Sequence, residues 1–223
     1  MSNAVVSSLR ASDGHELDAY IVHPGAQPKG AVVIVQEIFG LNDHIKRVAD
    51  GYAADGYLAV APAMFDRIGK NLLFSYSDIQ GGRGAIAKLT EPMLLADLAA
   101  ATKAASPAGK VVHIGYCWGG AIAYMAACKV AGVAGGVCYY GTRTIELSAN
   151  MTPRAPVQYH FGALDKSIPP EGIAKIKAVH PSGIYHVYPS ADHGFNCTER
   201  PSFNAEAAKL AKHRVLDFLA AID

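Results

Sequence analysis

The stretch VVHIGYCWGG, residues 111–120, predicts both the fold and the chemistry of this 223-residue chain. Val111 to Tyr116 is apolar and rich in β-branched residues, as in a buried strand, and Ala121 to Val130 has the composition of a helix. The glycines therefore fall at a sharp strand-to-helix turn. In the G-x-S-x-G nucleophile elbow, such a turn lifts a reactive side chain above the end of a sheet. Here the pattern is G-x-C-x-G, which makes Cys117 the candidate nucleophile.

Strands and helices alternate on both sides of this turn. We predict strands at Leu17 to Val22, Ala31 to Gln36, Tyr57 to Pro62, Gly135 to Tyr140, Pro156 to Gly162 and Gly183 to Pro189, and helices at Asp43 to Ala54, Thr90 to Ala105, Pro170 to Ala178 and Phe203 to Ala220. Thr90 is expected to cap its helix. The alternation predicts an α/β fold with a mostly parallel central sheet, helices on both faces, and the earliest strands joining antiparallel. Phe65 to Lys88, rich in glycine and serine, is predicted to be a long loop.

Length, composition and charge limit the class of protein. A chain of 223 residues, 51% hydrophobic, is expected to form one domain over residues 1–223. A formal charge of +1 provides no basic face for a nucleic-acid backbone, so we expect no nucleic-acid partner. No apolar run approaches the roughly 20 residues that span a bilayer, and the first nine residues lack a signal-peptide pattern. With four cysteines and no C-x-x-C pair, we expect a cytoplasmic protein with free thiols and no membrane partner.

Polar residues that follow predicted strands supply partners for Cys117. In an open α/β sheet, binding residues gather beyond the carboxyl ends of the strands. Asp165 follows the strand that ends at Gly162, and His193 follows the strand that ends at Pro189. The chain order of nucleophile, acid and histidine is that of hydrolases in which the histidine takes the nucleophile's proton and the acid orients the histidine. Loop aspartates and histidines also serve turns and surfaces, so a structural role is the alternative.

When the segment after the second predicted strand is considered with these motifs, the chain resembles a known family. The motifs are Gln36-Glu37-Ile38-Phe39-Gly40, Gly115-Tyr116-Cys117-x-Gly119-Gly120, Tyr139-Tyr140-Gly141, the loop of Asp165, and Ala191-x-His193-x-Phe195. Together they resemble the dienelactone hydrolase, or carboxymethylenebutenolidase, family from about Leu17 to Phe218. The resemblance implies an α/β-hydrolase fold and a monomer that hydrolyses a small cyclic ester such as dienelactone. It also implies that Glu37 contacts the resting thiol, although a glutamate can instead pair with a surface cation.

The resemblance also assigns roles around the nucleophile. It implies that Cys117 attacks the lactone carbonyl and that Asp165 and His193 complete a triad. As in other enzymes of this fold, the backbone N–H groups of Trp118 and Ile38 are expected to stabilise the oxyanion. Ring opening then gives a thioester acyl-enzyme, which water hydrolyses with His193 as base.

Substrate recognition departs from the family pattern. The family holds a substrate carboxylate with two arginines, and Arg83 is the counterpart of the first. The second position, four residues after His193, is occupied by Cys197. Arg200 either reaches the same anion from a shifted loop or is an ordinary solvated arginine. Tyr140 either lines the pocket or belongs to the core. Losing one clamp weakens selection for a carboxylate, so the substrate can be a different lactone or ester.

Several alternatives therefore stay open at the level of the sequence. The chain can be a broad carboxylesterase or thioesterase, or a ligand-binding protein that has lost turnover. We also consider a disulfide or sulfenate at Cys197, and adventitious zinc held by Cys117, His193 and Cys197. No ligand pair has the short spacing of a structural zinc site, so no metal and no cofactor are expected. Core positions are predicted for Cys128, Cys138, His113, His160 and His186.

Overall fold

The computed structural model describes residues 3–222, so Met1, Ser2 and Asp223 of the predicted domain lie outside the described residues. The strands are β1 (Asn3–Arg10), β2 (Glu16–His23), β3 (Ala31–Val35), β4 (Leu58–Pro62), β5 (Val111–Tyr116), β6 (Val133–Tyr139), β7 (Val157–Gly162) and β8 (Ile184–Tyr188). The helices are α1 (Asp43–Ala54), α2 (Ile79–Ile86), α3 (Glu91–Ala105), α4 (Trp118–Lys129), α5 (Thr144–Ser148), α6 (Pro170–Val179) and α7 (Ala205–Ala221).

All eight strands join one sheet in the order β1-β2-β4-β3-β5-β6-β7-β8. The pairs β1–β2 and β2–β4 are antiparallel, and the other five pairs are parallel. Parallel strands need crossover connections, which the helices provide. The predicted mostly parallel sheet, with the earliest strands antiparallel, is therefore confirmed.

Each face of the sheet carries its own apolar core. On β3, Val32 and Ile34 belong to one buried cluster, and Val33 and Val35 belong to the other. Helices α1 and α7 bury residues in the first cluster, while α3 buries residues in the second. This two-sided burial explains why the central strands are continuous apolar runs rather than alternating ones. No helix within residues 3–222 is both long and apolar enough to cross a bilayer.

The prediction of one long loop from Phe65 to Lys88 is wrong, because this segment contains α2. Asp78 precedes the helix, and its Oδ1 accepts a hydrogen bond from Gly81 N at 2.9 Å, which caps the first turn. Gly82 lies so close to the carbonyl oxygen of Ile38 that a Cβ there would overlap it. The glycines that indicated a loop therefore allow α2 to pack tightly against the chain that follows β3.

Other boundaries also differ from those predicted. Strand β1 was not predicted, because Val5 and Val6 are exposed on an edge strand and give no alternating pattern. The short helix α5 was also missed. Helix α4 begins at Trp118, so its two glycines lie in the first helical turn rather than before it. Thr90 occupies the N-cap position of α3, but its side chain makes no capping hydrogen bond there.

Candidate active site

A strained backbone places Cys117 at the junction of β5 and α4. Its φ of +55° and ψ of −119° are rarely adopted by a residue with a side chain. Two hydrogen bonds hold this conformation: Cys117 N donates to Tyr139 O at 3.0 Å, and Gly120 N donates to Cys117 O at 3.0 Å. The thiol is thereby fixed at the carboxyl end of the sheet, beside the positive end of the α4 dipole.

The glycines around Cys117 are required by close packing. A Cβ on Gly115 would overlap the carbonyl group of Gly119, and a Cβ on Gly119 would overlap the carbonyl oxygen of Gln36. A Cβ on Gly120 would lie 2.7 Å from Tyr139 O, closer than real Cβ atoms approach. None of these glycines has a positive φ, whereas Cys117 does. The elbow therefore concentrates its strain at the candidate nucleophile and uses glycine where the α4 backbone meets its neighbours.

The three residues predicted to act together form a chain of contacts. His193 Nε2 lies 3.1 Å from Cys117 Sγ, and His193 Nδ1 lies 2.7 Å from Asp165 Oδ2. The Asp165 side chain is 1% exposed, and its Oδ1 accepts a hydrogen bond from Ser167 N at 2.8 Å. Asp165 follows β7 and His193 follows β8, so adjacent parallel strands deliver both groups to the edge of the sheet that carries Cys117.

The surroundings of His193 favour its charged form. Burial acts to lower the pKa of His193, but the hydrogen bonds to Asp165 and Cys117 outweigh burial and raise the pKa to about 10. A protonated imidazole beside a sulfur is the arrangement that activates cysteine nucleophiles in general. The arrangement can therefore offer a nucleophile together with a proton donor for a leaving group.

Glu37 is paired with Arg200, whereas the resemblance implies a contact with the Cys117 thiol. Its side chain is 1% exposed, and Oε1 lies 3.4 Å from Arg200 Nη1. Burial raises the pKa of the Glu37 carboxyl, although the charges of Arg200 and His193 act in the opposite direction. The structure gives no hydrogen bond between the Glu37 carboxyl and the Cys117 thiol: Sγ of Cys117 is paired with His193, and Oε1 of Glu37 is paired with Arg200.

A cavity of about 470 Å³ opens directly in front of Cys117. It is lined by Ile38, Phe39, Ile79, Arg83, Ile86, Cys117, Trp118, Thr142, Arg143, Ser167, His193 and Arg200. Three arginines thus line a partly apolar cavity, and the sequence analysis predicted two of them, Arg83 and Arg200, as substrate-binding residues. Arg143 was missed, although it lies just beyond the carboxyl end of β6, where binding residues are expected.

Tyr140 lies next to the candidate triad and does not line this cavity. It is fully buried with a φ of +37°, and it is not among the described residues that line the cavity. Its ring packs edge-on to His193, with the centroids 5.1 Å apart. The core alternative for Tyr140 is therefore the one that the structure favours, with a role in supporting the imidazole ring.

Two backbone groups at the cavity are free to donate. Ile38 and Trp118 both line the cavity, and within residues 3–222 neither N–H has a hydrogen-bond acceptor. Trp118 follows Cys117 directly, and Ile38 lies in the chain after the neighbouring strand β3. An orphan N–H pair beside a nucleophile is the usual composition of an oxyanion hole.

The other cysteines lie outside the cavity. All four are free; Cys117 is half-buried and Cys128, Cys138 and Cys197 are buried. Sγ of Cys197 lies 3.3 Å from the hydroxyl of Tyr76. In the part of the chain that the structure describes, the one group of three residues suited to a metal joins Cys197 to Glu37 and His44, and it includes neither Cys117 nor His193.

The histidines predicted to be structural have ordinary partners. His113 is buried, with Nε2 2.8 Å from Thr102 Oγ1, and His160 is buried, with Nδ1 2.7 Å from the Tyr188 hydroxyl. His186 is half-buried, with Nε2 3.3 Å from Gln158 Nε2. The core positions of His113 and His160 are confirmed, whereas His186 is only partly covered.

Comparison with known proteins gives matches to one family. Residues 17–222 match the model of the dienelactone hydrolase family. A "Putative carboxymethylenebutenolidase" of Escherichia coli O157:H7 is 34% identical, with 97% of this chain and 87% of the relative covered. The carboxymethylenebutenolidase of Pseudomonas putida is 32% identical, with 96% of this chain and 94% of the relative covered.

A solved structure extends the likeness to three dimensions. The crystal structure of a "Putative Dienelactone Hydrolase" from Klebsiella pneumoniae subsp. pneumoniae MGH 78578 superimposes with a TM-score of 0.88 and 28% identity. The superposition covers 99% of both chains. The sheet order, the helices on both faces and this likeness together establish the α/β-hydrolase fold.

Proposed function

The chain belongs to the dienelactone hydrolase family of ester hydrolases, and we propose that it opens a small lactone such as dienelactone (carboxymethylenebutenolide) through a thioester on Cys117. The observation that carries the proposal is the chain of contacts from Asp165 through His193 to Cys117 at the floor of a cavity. Its product is the ring-opened acid. No cofactor is needed, because the thiolate, the imidazolium and water supply every group in the reaction.

In the first half of the reaction the Cys117 thiolate attacks the lactone carbonyl carbon. The carbonyl electrons move to oxygen, and the N–H groups of Ile38 and Trp118 stabilise the negative charge. When the carbonyl re-forms, the ring C–O bond breaks and the leaving oxygen takes the proton held at His193 Nε2. Cys117 is left as a thioester, and the former ring remains attached through its acyl carbon.

In the second half, water releases the acyl group. Neutral His193 accepts a proton from water as the water oxygen attacks the thioester carbonyl, and the thiolate leaves. Throughout, Asp165 keeps the proton on Nδ1, so that Nε2 faces the sulfur and the water. Glu37 is a positioning residue in this scheme, because its carboxylate holds the Arg200 guanidinium at the wall of the cavity.

The charge of the cavity favours an anionic substrate. Arg83 and Arg143 line it, and among residues 3–222 the Arg83 side chain makes no salt bridge. Arginine binds carboxylates with paired hydrogen bonds, which gives both affinity and orientation. Ile79 and Ile86 on the same helix as Arg83 provide an apolar surface for the carbon skeleton of the substrate.

A broader carboxylesterase or thioesterase activity is the second candidate. It is favoured by the position of Cys197, which stands where an arginine is expected and does not line the cavity. Arg200 is also partly occupied, because it pairs with Glu37. Anion selection would then depend on Arg83 and Arg143 alone, and neutral esters would be accepted.

Trapping of the acyl-enzyme tests the proposed chemistry. We expect acid quenching during turnover to yield a chain heavier by the whole lactone, or by the acyl group alone for an aryl ester. Peptide mapping by mass spectrometry is expected to place the adduct on Cys117, with Cys128, Cys138 and Cys197 unmodified as internal controls. Hydroxylamine is expected to release it, as it does a thioester. Hydrolysis with an adduct on another residue would refute the thioester, and ligand binding with neither turnover nor adduct would refute the hydrolase.

Substitution of Arg83 separates the two candidate substrate classes. We expect Arg83→Ala to raise KM for a carboxylate-bearing lactone by about tenfold, the loss of one charge-assisted hydrogen bond, while KM for a neutral aryl ester changes little. Arg10→Ala removes an exposed arginine on β1 and is the matched control. Steady-state kinetics of the three proteins on both substrates give the answer. Equal effects on both substrates would place Arg83 outside the binding site.

We also place this enzyme in the cytoplasm as a monomer. Four free thiols support a reducing compartment, since secreted domains of this size commonly pair theirs. The monomer and the absence of a nucleic-acid partner stay predictions from the family resemblance and from the charge of +1.

A further inference from the structure

A buried group of metal-binding side chains lies next to the cavity. Glu37 follows β3, His44 lies in the first turn of α1, and Cys197 lies in the loop between β8 and α7. Their exposed fractions are 1%, 4% and 0%. One carboxylate oxygen, one ring nitrogen and Sγ all lie within 4.8 Å of one another. Small side-chain movements would bring the three atoms to the distances of about 2.0–2.3 Å that zinc requires.

Two polar atoms of this group have no partner. Glu37 Oε2 and His44 Nε2 are buried, and within the described residues neither makes a hydrogen bond. Burial of an unpaired carboxylate oxygen is costly, and native structures rarely leave one without a partner. Glu37 Oε1 is already paired with Arg200, so Oε2 is the oxygen that needs a ligand.

A second carboxylate orients the histidine. Glu199 Oε2 lies 3.3 Å from His44 Nδ1, which favours the tautomer with the proton on Nδ1. The lone pair is then on Nε2, the atom without a partner. A carboxylate behind the distal nitrogen of a histidine is the usual second layer of a zinc site, because it fixes the ring and increases the basicity of the ligating nitrogen.

One member of the group, His44, also lines a second cavity outside the catalytic one. This cavity of about 560 Å³ is lined by residues that include His44, Tyr76 and Glu199, and it shares no lining residue with the cavity at Cys117. The two nearby arginines do not oppose a cation outright. Arg200 is paired with Glu37 Oε1, and Arg47 is paired with Glu199 Oε1.

We propose that Glu37 Oε2, His44 Nε2 and Cys197 Sγ bind Zn²⁺, with water in the fourth position. One carboxylate, one imidazole and one thiolate form a donor set suited to Zn²⁺ and unsuited to Mg²⁺ or Ca²⁺, which take oxygen ligands. Binding transfers the thiol proton of Cys197 to solvent and involves no oxidation. The site uses neither Cys117 nor His193, and it is connected to the catalytic cavity through Glu37, whose other oxygen holds Arg200.

Cobalt(II) provides the test, because its bond to a thiolate produces a charge-transfer absorption band that a cobalt ion held only by nitrogen and oxygen lacks. The titration is carried out on Cys117→Ala, so that Cys117 and His193 cannot form a competing site. We expect one Co²⁺ per chain, the thiolate band, and displacement by Zn²⁺. The band is expected to vanish in Cys117→Ala/Cys197→Ser and to persist in the matched control Cys117→Ala/Cys128→Ser, which removes a buried thiol of α4.

The histidine ligand gives a second, independent measurement. Cys117→Ala/His44→Gln keeps the thiol and is expected to bind Co²⁺ at least tenfold more weakly. Circular dichroism shows whether the Cys197→Ser variant folds. If that variant does not fold, the His44→Gln variant alone tests the proposed site. A band seen in the wild type but not in Cys117→Ala would mean that the metal binds only at the catalytic thiol, and this overturns the proposal. A band unaffected by both His44→Gln and Cys197→Ser, or no band at all, overturns it as well.

Discussion

Cys117→Ala is expected to lower kcat by roughly 10⁴- to 10⁶-fold on every lactone or ester that the wild type hydrolyses, the range found when a nucleophile is removed from a catalytic triad. Without sulfur no thioester forms, and any residual reaction is attack by water assisted by the N–H groups of Ile38 and Trp118. Pre-steady-state and steady-state kinetics measure the loss. The fold should survive, because alanine lacks only the sulfur of a half-buried side chain.

Two further variants make this result specific. Cys128→Ala removes a thiol from the same α4 helix, and because Cys128 is buried away from the cavity its kcat should match the wild type. Cys117→Ser retains the shape of the side chain but has a hydroxyl that ionises far less readily, so we expect it to be intermediate or inactive. A Cys117→Ala enzyme within tenfold of the wild type would contradict the proposed mechanism.

Gly115→Ala is expected to lower the free energy of unfolding by more than about 4 kcal/mol, which for a chain of ordinary stability leaves little folded protein. The added Cβ would overlap the carbonyl group of Gly119 in the first turn of α4. Neither backbone can move away, since β5 is bonded on both sides and α4 packs against it. Urea unfolding followed by circular dichroism measures the change.

Gly51→Ala is the matched control for this substitution. Gly51 lies inside α1, where an added Cβ meets nothing within 4 Å. Alanine there is expected to raise the free energy of unfolding by about 0.5–1 kcal/mol, because glycine is the poorer helix former. If Gly115→Ala unfolded at the same urea concentration as the wild type, the close approach of β5 and α4 would not be the reason for the glycine.

The contacts among the three candidate catalytic residues were predictable because each residue is marked by its place in the chain. Cys117, Asp165 and His193 each follow an apolar run, and parallel strands bring their carboxyl ends to one edge of the sheet. The order of the strands in the sheet therefore brings into contact residues that are 76 and 28 positions apart in the chain. The same reasoning applies to Arg143, which follows β6 and lines the cavity.

The sequence is a poorer guide at the glycines, because a glycine can serve either a flexible turn or a close packing contact. Around Cys117 the motif predicts that the glycines make the bend, whereas in the structure Gly115 and Gly119 allow close packing and the backbone bends at Cys117. In α2 the same misinterpretation turned a helix into a predicted loop. Composition alone does not distinguish a flexible glycine from one that lies against a neighbouring backbone.

The proposed zinc site could not be predicted from the spacing of its ligands in the sequence. Seven positions separate Glu37 from His44, and Cys197 is far away in the chain, so no short spacing marks a site. His44 reads as an ordinary residue in the first turn of a helix. Its burial and its unpartnered nitrogen exist only in the folded chain, where Glu199 and the ring of Tyr116 lie against it.

The four cysteines differ in exposure, so the rate at which they react with a thiol reagent can report the fraction of folded protein. In the native chain we expect a thiol reagent to modify the half-buried Cys117 faster than the three buried thiols. Opening the fold frees all four, so the number of fast-reacting thiols per chain runs from one to four as the population unfolds. A single colorimetric titration thus reports on the nucleophile and on the integrity of the whole molecule.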